Sequence, residues 1–204
     1  MKLSELATIK TGLVMARKQA KQPCNEVVRY KQLNLRSIHP DGYIERTYVE
    51  DFGAKETLPA EYLTQSGDIV VRLTTPYTAV LIDEEWKGVV VPSHFVIIRP
   101  DNRLLPEYLY WLLNTKKIRE KLTQNVSSIM IGTIKPKSYA CLDIEILSLE
   151  QQQRIARLNL LAKKELDLLE RLKEQKKLYY ETAIDRIQRE MRDIEYEKDD
   201  KERY

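Results

Sequence analysis

Apolar positions along the chain change their period once, near residue 147. Before that point they fall in short β-branched runs: Val27-Val28-Arg29-Tyr30, Asp68-Ile69-Val70-Val71-Arg72-Leu73, Thr78-Ala79-Val80-Leu81-Ile82 and His94-Phe95-Val96-Ile97-Ile98. Such runs, about four to eight residues long and bounded by turn signals, read as strands. Pro40-Asp41-Gly42, Gln65-Ser66-Gly67 and Lys87-Gly88 supply the turn chemistry between them. Pro106 followed by Tyr108-Leu109-Tyr110-Trp111-Leu112-Leu113 predicts a helix opened by proline in its first turn. Lys116 to Leu122 predicts a second, basic amphipathic turn. Residues 125–148 look irregular and end in a predicted strand, Leu142-Asp143-Ile144-Glu145-Ile146. The expected fold class is α+β, with residues 1–147 as one globular domain.

After that domain the period is helical. Ser148 can cap a helix whose first turn holds Glu150, Gln151 and Gln152. Ile155, Leu158, Ala162, Leu166, Leu169 and Leu172 step by threes and fours, and Tyr180, Ile184, Ile187, Met191 and Ile194 do so again. Lys173 to Lys177 interrupts this seam, and Leu161 and Leu168 widen it. All six glycines and all eight prolines lie in the first 136 residues, so nothing breaks the helix afterwards. Residues 148–204 are therefore expected to form one long helix, roughly 67 Å from Glu150 to Ile194 at 1.5 Å per residue. Its last ten residues carry eight charges and are expected to fray. Burying a Leu or Ile side chain contributes about 1.5–3 kcal/mol. A stripe longer than the globule can cover thus predicts a partner helix, from a second copy or another protein. Leu158, Leu168, Leu172, Ile184, Ile187 and Met191 are the expected dimer seam.

Composition narrows the class. With 204 residues, 43% hydrophobic and 32% charged, the chain can bury a core and is no disordered polyelectrolyte. No segment approaches the roughly 18 apolar residues of a membrane helix. The start, Met1-Lys2-Leu3-Ser4-Glu5, has neither the apolar run nor the cleavage site of a signal peptide. Cys24 and Cys141 match no CxxC spacing, and with His39 and His94 beside them they predict no metal site. Two cysteines suit a reducing compartment, so the expected location is cytoplasmic, without a membrane partner.

The net charge of +3 is unevenly laid out. Residues 1–39 carry eight Lys or Arg against two acids, residues 40–115 six against twelve, and residues 116–137 six against one. Two basic segments around an acidic middle can converge on one face that meets a polyanion. Arg17, Lys18, Lys21, Arg36, Lys135 and Lys137 are the candidate phosphate contacts, although a solvated surface explains each singly.

Enzymatic motifs fail on inspection. Thr74-Thr75-Pro76-Tyr77 has the outline of an amino-methyltransferase Asn-Pro-Pro-Tyr signature, but Thr74 replaces the polar acceptor and no glycine-rich SAM loop precedes it. A hairpin turn is the simpler reading. Asp68 with Glu85-Trp86-Lys87 has the spacing of metal-dependent nucleases, which need two carboxylates for Mg²⁺ and a lysine to poise water. Glu85, however, sits in the acidic turn Asp83-Glu84-Glu85, better read as solvated. No catalytic residues, no cofactor and no enzymatic activity are expected.

The order of several segments resembles half of a type I restriction–modification specificity subunit, the DNA-reading polypeptide of those complexes. The segments are Leu3-Ser4-Glu5-Leu6-Ala7-Thr8-Ile9-Lys10-Thr11-Gly12, Gln65-Ser66-Gly67-Asp68-Ile69-Val70, Pro92-Ser93-His94-Phe95-Val96-Ile97 and Pro106-Glu107-Tyr108-Leu109-Tyr110-Trp111-Leu112-Leu113. The strongest is Leu142-Asp143-Ile144-Glu145-Ile146-Leu147-Ser148-Leu149-Glu150-Gln151-Gln152-Gln153-Arg154-Ile155. In the family this junction is a strand, a proline-rich step and a Glu-Gln pair opening the spacer helix; here the prolines are missing. Members usually carry two recognition domains and two spacer helices, so the resemblance implies a half-subunit completed by a second chain. It implies double-stranded DNA as ligand, with methyltransferase (modification) subunits as partners that bring SAM and methylate adenine. A restriction subunit is an optional further partner. It also implies that loop residues such as Arg72, Thr74, Thr75, Tyr77 and His94 read bases in one half of a bipartite palindrome. The alternative is a coiled-coil interaction or decoy protein that binds the modification subunit without reading DNA. A metal-dependent nuclease comes third.

Overall fold

A computed structural model describes residues 1–22, 25–124 and 132–201, with the side chains of the last helix as far as Met191. Cys24 lies outside the described residues. The strands are β1 (Ala7–Thr11), β2 (Val28–Gln32), β3 (Glu50–Ala54), β4 (Ile69–Arg72), β5 (Ala79–Leu81) and β6 (Phe95–Pro100). Four form an antiparallel sheet in the order β1-β6-β4-β5, and β2 pairs with β3 in a second, two-stranded sheet.

The central strands are apolar at nearly every position because both faces of the sheet are covered. Ile69, Val71, Ala79, Val96 and Ile98 face one core, shared with Leu3, Leu6, Leu109 and Leu113. Val70, Val80, Phe95 and Ile97 face another, shared with Leu33, Ile38, Val89 and Val91. A third cluster packs Phe52 and Ala54 of the small sheet against Leu13, Leu58 and Val90. Strands β1 and β3 were not legible from the pattern. β1 is an edge strand of alternating polar residues, and β3 buries Phe52 and Ala54 alone.

Helix α1 (Pro106–Asn114) buries Tyr108, Leu109, Tyr110 and Leu113. Helix α2 (Lys116–Thr123) buries Ile118 and Leu122, spaced one turn apart, and Thr115 caps it. The region expected to be irregular holds a further short helix, α3 (Pro136–Ala140), with proline at its first turn. The expected strand at Leu142–Ile146 is absent. Leu142 and Ile144 are buried, but their partner segment is Met1–Leu3, which turns into a 3-10 helix after a single bridge between Lys2 and Asp143. The alternation was real, but the facing segment passes into a 3-10 helix at Leu3 directly after the Lys2–Asp143 bridge, so no ladder forms there.

Helix α4 (Leu149–Lys201) runs 53 residues. Ser148 opens it in a capping box: its Oγ accepts from Gln151 N–H at 3.3 Å, and Gln151 Oε1 accepts from Ser148 N–H at 3.0 Å. The chain divides into two compact units, Met1–Arg157 and Leu158–Tyr204. The first turns of α4 belong to the first unit, where Gln152 and Ala156 are buried. From Leu158 onward the apolar stripe is exposed: Leu158 by 71%, Leu168, Leu172, Ile184 and Ile187 by about half, Met191 by 62%. The Ile194 side chain lies outside the described ones. Among the described residues no helix is long and apolar enough to cross a membrane.

Candidate nucleic-acid interface

One end of the large sheet gathers most of the base-reading candidates. Strands β4 and β1 end there, and β5 and β6 begin there. The β4–β5 connection is a four-residue turn, Thr74–Tyr77, closed by Tyr77 N–H to Thr74 O at 2.8 Å, with a cis Thr75-Pro76 bond and Tyr77 at φ 57. Beside it, Leu73 N–H donates to His94 O at 3.0 Å, and Ile134 N–H donates to Leu73 O at 2.8 Å. His94 and Lys135 are thereby tied to the turn. Arg72 Nε donates to Thr74 Oγ1 at 3.0 Å and its Nη1 to Leu35 O at 3.2 Å, which brings Arg36 alongside. Tyr77 donates its hydroxyl to Gly132 O at 2.6 Å. Thr75, His94, Arg36, Lys135 and Lys137 are exposed, and Arg72, Thr74 and Tyr77 are half-buried. The hydroxyl of Tyr77 and part of the Arg72 guanidinium thus shape the turn, leaving the Nη2 end of Arg72 without a partner among the described residues.

Arg17, Lys18 and Lys21 form a separate group on the segment that runs along β3, where Ala20 N–H donates to Gly53 O at 2.9 Å and Lys55 N–H to Lys18 O at 3.0 Å. No hydrogen bond or ion pair among the described residues joins them to the turn. Gly12 lies where this segment leaves β1, and a Cβ there would fall 2.1 Å from Pro92 O, so the backbone passes closely over the start of β6.

The uneven charge along the chain resolves into pairs. Acids of the middle segment neutralise cations of the first one: Glu61 with Lys10 at 2.5 Å, Asp51 with Lys31 at 2.8 Å, and Glu56 with Lys18. The lysine hydrogen bonds hold all three carboxyls below their ordinary range. Among the described residues, Arg17, Lys21, Arg36, Lys117, Lys121, Lys135 and Lys137 have no acidic partner. Lys117 and Lys121 lie one helical turn apart on α2, a spacing readable in the sequence.

The residues of the nuclease-like spacing are engaged elsewhere. Asp68 is 2% exposed and takes two bonds from Arg99, Nε to Oδ1 at 2.8 Å and Nη2 to Oδ2 at 3.2 Å, plus one from Gln65 N–H at 2.8 Å. Glu85 is exposed and pairs with Arg46. Among the described residues no three His, Cys, Asp or Glu side chains lie close enough to hold a metal ion. Cys141 is an exposed free thiol.

A loop read from the sequence as a plain turn also reaches this end. His39 stacks on Tyr43 with ring centroids 4.3 Å apart and planes 19° from parallel. Thr78 Oγ1 donates to Pro40 O at 3.4 Å, and Tyr110 donates its hydroxyl to Gly42 O at 2.8 Å. The readable signal was two aromatic rings flanking Pro40-Asp41-Gly42.

No protein-family model matches the sequence, and no curated protein does. The architecture is nonetheless a defined one: an antiparallel α+β globule followed by a single long helix. It is the fold of HsdS, the specificity subunit of type I restriction–modification systems. The HsdS subunit from Thermoanaerobacter tengcongensis matches with a TM-score of 0.63 at 17% identity, over 84% of this chain. A chain from a structure addressing complex assembly and conformational transition of the type I R-M system matches at 0.62 and 17%, over 82%. In both cases this chain spans 43% of the length of the other. The likeness is one of fold.

Proposed function

We propose that the chain is a DNA specificity subunit of a type I restriction–modification system, without catalytic activity of its own and working in the cytoplasm. Residues 1–147 form a target-recognition domain, and residues 148–204 form the spacer and dimerisation helix. The turn residues Arg72, Thr74, Thr75 and Tyr77, with His94, read one half-site. Arg17, Lys21, Arg36, Lys135 and Lys137 hold the phosphates, and Lys18 joins them only where a phosphate displaces its Glu56 partner. Two copies pair through Leu158, Leu168, Leu172, Ile184, Ile187 and Met191. A closed pair uses the same patch twice, so the two domains read one half-site in opposite directions and the target is a bipartite palindrome. The dimer directs an adenine methyltransferase to that target, with or without a restriction subunit.

The observation that carries this reading is the end of the sheet, where polar turn residues meet cations that lack acidic partners, on a fold shared with HsdS. Cations already paired within the protein gain little from a phosphate; unpaired ones displace condensed counterions, which drives binding. Fluorescence anisotropy with a random duplex, repeated at two salt concentrations, tests it. For roughly 6–10 phosphate contacts per dimer, affinity falls about 10³–10⁵ between 50 and 200 mM salt. A protein that dimerises and binds no duplex at low salt would be the coiled-coil interaction protein instead.

A further inference from the structure

We infer that the loop from His39 to Tyr43 is a second base-reading element, in which His39 Nε2–H donates to an acceptor on a base edge. The inference rests on the DNA-reading function proposed above and assigns part of it to a particular group.

The loop is held rigidly and in the right place. Ile38 and Ile44 bridge each other at its base and are buried in the core with Val80 and Ile82. His39 N–H donates to Tyr43 O at 3.0 Å and Gly42 N–H to His39 O at 2.9 Å, with Gly42 at φ 86, a conformation that favours glycine. The two carbonyls at its tip are bound by Thr78 and Tyr110, both buried side chains. Thr78 directly follows the β4–β5 turn, and its carbonyl accepts from Arg72 N–H at 3.0 Å. The loop and the turn therefore form one surface at the same end of the sheet.

On this loop the imidazole has one available polar atom. Nδ1 accepts from Asp41 N–H at 3.2 Å and lies 3.4 Å from Asp41 Oδ2. In a neutral ring Nδ1 is then the acceptor, and the hydrogen sits on Nε2. In a charged ring both nitrogens carry hydrogen. In either state Nε2 is a donor. It has no partner among the described residues, and it is not one of the buried unpaired atoms. Stacking on Tyr43, itself 47% exposed, fixes the ring plane, so the donor points in one direction before DNA arrives.

A fixed, compact donor suits a base edge better than a phosphate, which neighbouring Arg36, Lys135 and Lys137 can reach as cations on flexible stems. In the major groove guanine offers N7 and O6, adenine N7 and thymine O4, whereas cytosine offers a donor. His39 should therefore select against cytosine at one position of the half-site.

Sequencing duplexes selected from a random library by the full-length protein and by His39→Ala tests this. The wild type should enrich an inverted repeat. The variant should keep that repeat, its affinity for random duplex and its salt slope, but lose about tenfold discrimination at one base pair per half-site. Tyr43→Ala, which removes the stacking partner and keeps the donor, should weaken preference at that same base pair. An unchanged His39→Ala motif, or a uniform loss of affinity with the motif intact, would overturn the inference and leave the DNA-reading function standing. Failure of the wild type to enrich any sequence would overturn that function itself.

Discussion

At the scale of single residues, Asp68 shows how tertiary contact assigns a role that residue type leaves open. An aspartate before a strand can be a metal ligand, a turn residue or a buried ion-pair partner. Here burial raises its carboxyl above the ordinary value, and the Arg99 hydrogen bond and Gln65 N–H pull it part of the way back. Arg99 also donates to Leu63 O at 2.7 Å, so one guanidinium ties β6 to the loop that leads into β4. Arg99→Met should cost about 3–5 kcal/mol, because it leaves a carboxylate buried without its counter-charge. A folded pKa above the unfolded one means that the folded chain keeps the proton to higher pH. The contribution is then most favourable below the unfolded pKa, about 3.9 for aspartate, and is lost as pH rises through the folded value. Removing Arg99 raises the folded pKa further, so the defect should be largest near neutrality and shrink towards acid pH. Urea unfolding of the variant and the wild type across that range measures it. A defect that grows on acidification would contradict the assignment.

At the scale of elements, the junction between the globule and α4 depends on one glutamine. Gln152 is fully buried, yet every polar group on its side chain is used. Its Oε1 accepts from Leu105 N–H at 2.8 Å, and its Nε2 donates to Arg103 O at 3.0 Å and Leu147 O at 2.9 Å. It thus satisfies backbone groups before α1 and before α4 together. Gln152→Leu should cost about 1–3 kcal/mol for each backbone group left buried and unpaired, read by denaturant unfolding. A similar device closes the edge of the large sheet. Asn114 receives Ala79 N–H on Oδ1 at 3.1 Å and gives Nδ2–H to Ala79 O at 2.9 Å, standing in for a neighbouring strand beyond β5. Neither role is visible in a hydrophobic pattern, since Asn114 reads as the polar end of a helix and Gln152 as one of a polar run at a helix start.

At the scale of the whole molecule, the exposed stripe of α4 and the unpaired cations make separable predictions. Leu168→Lys with Leu172→Lys places charges in the proposed seam and should give monomers by light scattering at micromolar concentration while the globule stays folded. Reversing Lys135 and Lys137 to Glu should leave the dimer intact and flatten the dependence of affinity on salt. The expected change is about one unit of slope for each phosphate that the protein no longer neutralises. An unchanged slope would place both lysines on a solvated face. Lengthening α4 by whole helical turns should alter the preferred spacing of the two half-sites and preserve the half-sites themselves.

The sequence by itself determined what depends on local chemistry and periodicity. The doubly covered strands β4, β5 and β6 stood out as apolar runs, α1 by its proline and apolar face, and α4 by its stripe, its Ser148 cap and the absence of glycine and proline. Elements whose burial comes from elsewhere were not legible. β1 and β3 owe their strand character to pairing partners far along the chain, and Leu142–Ile146 was denied it because the segment it faces turns into a 3-10 helix after one bridge. Within the candidate site, charge blocks marked Arg36 and Lys135, and the resemblance to specificity subunits implied Arg72, the Thr74–Tyr77 turn and His94. Tertiary structure decided which of them meet, which cations are already neutralised by Asp51, Glu56 and Glu61, and that the His39 loop lies among them. Charge is a property of the residue, but whether it is free to act depends on which side chain the fold sets against it.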